Sequence, residues 1–109
     1  MSKNSSSDRL KQLYQFLEER PEDEFLLFAT AKEYEKLGNE EKAKEYYLKL
    51  TTDHADYVGT YYHLGKLYER DEDFDSATEI YEKGMEVAKV AGDKHAFGEL
   101  RGAHEMLEF

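Results

Sequence analysis

The stretch Val58–Lys89, VGTYYHLGKLYERDEDFDSATEIYEKGMEVAK, decides the fold. Tyr61, Leu64, Gly65 and Tyr68 recur at spacings of three, one and three, which gathers them on one face of a 3.6-residue helix. Ala77, Tyr81 and Gly84 do the same for a second helix, and the acidic segment 71–73 supplies the turn between the two. Gly65 and Ala77 are small where two helix backbones have to approach, and the tyrosines fill the space beside them. Such a helix-turn-helix unit cannot bury both of its faces alone, so further copies are expected.

A second copy lies directly upstream. Laid position by position on 56–89, the segment 22–55 shows the identities Lys32/Lys66, Tyr34/Tyr68, Glu35/Glu69, Ala43/Ala77, Glu45/Glu79, Tyr47/Tyr81 and Lys49/Lys83. Phe28/Tyr62 and Ala31/Gly65 are close substitutions. Before this pair, Met1 to Ser7 is polar and serine-rich and reads as a disordered leader. A helix pattern then starts at Asp8, with Leu10, Leu13, Tyr14 and Leu17 on one stripe and Phe16 beside it, and stops about Arg20 because Pro21 follows. Glu22, Asp23 and Glu24 suit the positive end of a second helix, lined inside by Leu27, Ala31 and Tyr34 and ending at Gly38. Gly38 and Asn39 predict a stop followed by an N-cap, opening a third helix over 40–52 with Ala43, Tyr47 and Leu50 inside. Asp56 is placed to cap the helix after that. Gly92 and Asp93 make one more break before a last helix over 94–108, whose stripe is Ala96, Leu100, Ala103 and Leu107. The expectation is six helices and no strand.

The period and the pattern resemble the tetratricopeptide repeat. The second unit carries Tyr61, Leu64, Gly65, Tyr68, Ala77, Tyr81 and Gly84 at the signature positions, with Asp73, Phe74 and Asp75 at its turn. The first departs in Thr30, where Leu is usual, and in Ala55, where Pro is usual. Pro21 holds the family's Pro position one period earlier, so 8–21 resembles the second half of a preceding unit, with Leu13 and Phe16 in core positions and Arg9 in place of a small residue. The resemblance therefore implies one all-α domain over 8–109, a right-handed α-solenoid: half a repeat (8–21), two repeats (22–55 and 56–89) and a closing helix (93–108).

Composition fits that reading. A chain of 109 residues can bury roughly two thirds of its unfolded surface around one core. Its 37% charged content suits helices with one apolar stripe and a solvated exterior, and nine Tyr and six Phe in periodic positions argue against disorder. A formal charge of −10 repels nucleic-acid phosphates and anionic lipid, so neither is an expected partner. The absence of Cys removes disulfides, thiolate metal sites and thiol nucleophiles. With no signal-like apolar run and no span of about 20 apolar residues, a cytoplasmic location is the default.

In the family, first-helix residues facing away from their partner helix line a concave groove for a peptide or helix. Carried onto this chain, these are Phe25, Phe28, Lys32, Glu35 and Lys36, then Tyr62, His63, Lys66, Glu69 and Arg70. The resulting strip is aromatic and cationic on an acidic protein, and Phe25, Phe28, Lys32, Tyr62, His63 and Lys66 are the expected peptide-binding residues. The alternative for the two lysines is local neutralisation by Glu35 and Glu69, in surface pairs worth about 0.5 kcal/mol. The carboxylate clamp of some chaperone-binding members falls here on Phe28, Lys32, His63, Asp93 and Phe97; only Lys32 is a lysine, at a position usually held by Asn, and Asp93 has the wrong charge, so that specificity is not expected. Asp71, Asp73, Asp75 and Glu82 have calcium-loop spacing, but Ser76 replaces the turning Gly and 74–82 is required as helix. The four histidines show no zinc spacing, and no nucleophile–base set or phosphate loop is present. No enzyme activity and no cofactor are expected. The function implied is a non-catalytic adaptor that binds a protein or peptide bearing acidic residues. The alternative is a structural homodimer, packed through the groove or stacked through the array ends, Leu10, Tyr14 and Leu17 at one and Phe97, Met106 and Phe109 at the other.

Overall fold

The computed structural model describes residues 5–108, which form six α-helices and, among the described residues, no strand. They are α1 (Ser5–Glu19), α2 (Glu24–Lys36), α3 (Glu40–Asp53), α4 (Gly59–Arg70), α5 (Phe74–Ala91) and α6 (Lys94–Met106). The helix begins at Ser5, so the leader expected over 1–7 overlaps α1 by three residues; its first four residues, like Phe109, lie outside the described residues. None of the described helices is long and apolar enough to cross a membrane. Two compact units divide between Leu50 and Thr51, inside the last turn of α3.

In the first unit, Pro21 follows α1 and Asp23 opens α2, its side chain accepting a hydrogen bond from Leu26 N at 3.1 Å. Gly38 closes α2 in the left-handed region, at φ 82°, and Asn39 N returns to Tyr34 O at 2.9 Å. Asn39 Oδ1 then accepts from Lys42 N at 3.1 Å, so one residue ends a helix with its backbone and caps the next with its side chain. Replacing Asn39 with alanine is expected to cost about 1 kcal/mol, read as a lower urea midpoint at unchanged slope; an unmoved midpoint would mean that water serves Lys42 N equally well.

The first core holds Leu13, Leu26, Leu27, Ala31, Tyr34, Ala43, Tyr47 and Leu50. Thr30, which stands where the family usually has Leu, is fully buried and donates its hydroxyl to Leu26 O at 2.8 Å, which satisfies it within its own helix. Arg9 is explained as well: its Nε lies 3.8 Å from Oε1 of Glu33, a carboxylate only 5% exposed. Phe16 corrects the sequence reading. It is 47% exposed rather than in the core, because Leu13 and Leu17 already occupy the inner stripe, and the Arg20 guanidinium covers its ring at 5.8 Å.

In the second unit, Tyr61, Ala77, Tyr81, Ala88, Leu100 and Ala103 form one buried cluster joining α4, α5 and α6. Asp73 caps α5 through Ser76 N at 3.2 Å, and Asp93 caps α6 through Ala96 N at 3.0 Å. Asp56 does not cap α4. The cap position belongs to Val58, which makes no side-chain hydrogen bond, and Asp56 stands two residues too early to reach the first free N–H groups. Helix α5 continues to Ala91 before Gly92 turns the chain at φ 73°.

Candidate peptide-binding surface

On α2, Phe25, Phe28 and Lys32 follow each other at three and four residues, one stripe along the helix. Phe28 is half-buried, its ring centroid 6.0 Å from that of Tyr47. Tyr47 is fully buried and donates its hydroxyl to Glu35 Oε1 at 2.6 Å. Phe25 is 63% exposed, more than any other Phe or Tyr among the described residues. Lys32 is exposed and makes no ion pair among the described residues.

On α4, the equivalent residues sit differently. Tyr62 and His63 are half-buried, with rings 5.8 Å apart and perpendicular. Lys66 Nζ lies 5.4 Å from the Tyr62 ring and 3.6 Å from Glu69 Oε2. Glu69 also accepts the hydroxyl of fully buried Tyr81. Burial, and then this bond to Glu69, pushes the Tyr81 hydroxyl above the ordinary tyrosine range. The local neutralisation expected of both lysines thus holds for Lys66 and not for Lys32.

The structure brings Tyr62, His63 and Lys66 together on one helix of the second unit, and Phe25, Phe28 and Lys32 together on one helix of the first. Tyr62 and His63 also line a cavity of about 230 Å³ whose opposite wall is Ala96, Glu99 and Leu100 of α6. That wall is missing from the sequence reading, which used Ala96 and Leu100 only as a core stripe. Extending the repeat by one more period would have found it, since this sets Ala96 against Tyr62 and Leu100 against Lys66. Asp93, a clamp position by resemblance, is occupied in capping α6. No cluster of three or more His, Asp or Glu able to hold a metal ion occurs among the described residues.

The two repeats are also what other proteins share. A tetratricopeptide repeat family model matches residues 26–52 and 58–90, which follow α2–α3 and α4–α5. The crystal structure of a tetratricopeptide repeat domain protein from Salinibacter ruber is 42% identical over 80% of this chain and 97% of that one, with a TM-score of 0.77. A solution NMR structure of a tetratricopeptide repeat domain protein from the same organism is 43% identical over 81% and 89%, again at 0.77. No curated protein matches. With both repeats covered and a similarity that spans four fifths of its length, the chain belongs to the tetratricopeptide repeat family.

Proposed function

We propose that the protein is a non-catalytic, cytoplasmic adaptor that binds a peptide or helix of another protein along the first helices of its repeats. Tetratricopeptide repeats generally mediate protein–protein interaction, and the residues of α2 say which chemistry this one suits. The carrying observation is the stripe Phe25, Phe28, Lys32: the most exposed phenylalanine, a half-buried ring behind it and a lysine with no ion pair among the described residues. An exposed aromatic supplies burial to an incoming side chain, and an uncommitted ammonium orients a carboxylate. Lys66, already held by Glu69 and Tyr62, contributes less.

Panning a random twelve-residue display library on the whole chain is expected to enrich acidic peptides that carry aromatic or aliphatic side chains. Their affinity should fall at least about tenfold, the worth of 1.4 kcal/mol, in a Phe25→Ala, Lys32→Ala variant. Both positions are exposed, so the melting temperature should stay put. Acidic peptides that bind parent and variant alike would sink the assignment. The alternative homodimer has an observation of its own, Met106 at 71% exposure near the end of α6. Light scattering on a size-exclusion column separates the two readings, because a concentration-dependent dimer that Met106→Ser abolishes belongs to the array end.

A further inference from the structure

The two repeats differ in the length of their second helix. Moved on by one repeat, α3 (Glu40–Asp53) maps onto Phe74–Val87, yet α5 runs on for four more residues, to Ala91. That extra turn carries Val90, which is 82% exposed, the most exposed large apolar side chain among the described residues. Val90 does not stand alone. With Val87, Ala91 and Ala55 it lines an open cavity of about 410 Å³, whose remaining lining residues are Asp56 and Glu86.

The walls of this groove are fixed from beneath. Val87 packs against the buried cluster of the second unit. On the other side, fully buried Tyr61 donates its hydroxyl to Ala55 O, which holds the 55–56 segment in place next to α5. The same segment puts the Asp56 carboxylate close enough to help hold the Tyr61 hydroxyl above its ordinary range, after burial. The groove is therefore preformed, and filling it orders little that is not ordered already.

Charge identifies the occupant. Asp56 and Glu86 are exposed and make no ion pair among the described residues. Lys83 and Lys89 stand three residues either side of Glu86 on the same helix, where a pair is within reach, and make none either. An apolar floor flanked by two uncommitted carboxylates is complementary to an aliphatic side chain flanked by Lys or Arg, and repels an acidic peptide. We infer that the groove of Ala55, Asp56, Glu86, Val87, Val90 and Ala91 is a second docking surface, for a cationic and aliphatic segment of a partner protein. It shares no residue with the stripe on α2, and its ligand has the opposite charge.

The same panning experiment tests this independently of the α2 surface. A second class of peptides is expected, with Leu, Ile or Val adjacent to Lys or Arg. Affinity for that class should drop at least about tenfold in an Asp56→Asn, Glu86→Gln variant and, separately, in Val90→Ser, and should be unchanged in Phe25→Ala, Lys32→Ala. All three substitutions in the groove are at exposed positions, and circular dichroism melting confirms that the fold is kept. Three results would overturn the proposal: no such class enriched; cationic peptides bound equally by every variant, as general attraction to a chain of charge −10 would produce; or cationic binding lost only with the α2 variant.

Discussion

Replacing Gly65 with alanine is expected to destabilise the protein by about 2 kcal/mol net, even though alanine is the better helix former by about 1 kcal/mol. The site is in the middle of α4, where helix propensity alone predicts a gain. Packing reverses the sign. A Cβ at Gly65 would lie 2.2 Å from Tyr81 Cε1, 2.6 Å from Cζ and 2.7 Å from Cδ1. The ring cannot step aside, because Tyr81 is fully buried and its hydroxyl is tied to Glu69. Helices α4 and α5 must separate instead, and the loosened packing runs into the cluster with Leu100. Gly98 and Gly102 supply the contrast. They lie in α6 with nothing within 4 Å of an added Cβ, so alanine there is expected to stabilise by about 0.5–1 kcal/mol. Urea unfolding of the three single variants checks both signs, and a stabilised Gly65→Ala would show that the close approach of α4 and α5 is not needed.

That contact was legible in the sequence for a definite reason. A glycine and an alanine between tyrosines at helical spacing mean little singly, but the same pattern stands one repeat earlier, and the repetition tells which faces meet. Gly38 and Asn39 were legible likewise, since a left-handed stop and a side-chain cap each demand particular residue types. Asp56 misled because any Asp before a helix resembles a cap, and only the backbone decides that Val58 holds the position. Phe16 misled because a stripe of apolar residues does not say how wide the covered face is. The unequal fates of Lys32 and Lys66 lay beyond sequence: both have a Glu three residues on, and both Glu residues accept a tyrosine hydroxyl, yet only Lys66 joins its carboxylate. The groove beside Val90 was hidden because its walls come from the last turns of α5 and from the 55–56 turn, which is distant in sequence, and helical periodicity does not say which two such segments lie side by side.

Truncating Tyr81 to alanine should cost about 4 kcal/mol, as emptying a fully buried aromatic site in a close-packed core does. Tyr81→Phe should cost only about 1 kcal/mol, since it keeps the ring and loses a single hydroxyl bond while Glu69 retains Lys66. The two variants also separate by pH. Burial raises the Tyr81 hydroxyl above its unfolded value of 10.0, so its contribution is complete below about pH 10 and is lost as pH rises further, when the unfolded chain ionises and the folded one resists. Tyr46 and Tyr61 are shifted in the same direction, chiefly by burial, and add to the fall. The parent should therefore lose stability above about pH 10, and Tyr81→Phe should lose it less steeply. The sharper test joins this site to Gly65. In the Tyr81→Ala background the space beside Gly65 is empty, so Gly65→Ala should change from destabilising to neutral or slightly stabilising. The double-mutant cycle should then give a coupling of about 2 kcal/mol or more. Additive effects would mean that the alanine at 65 meets something other than the Tyr81 ring, and the small-residue account of how α4 and α5 meet would have to be given up.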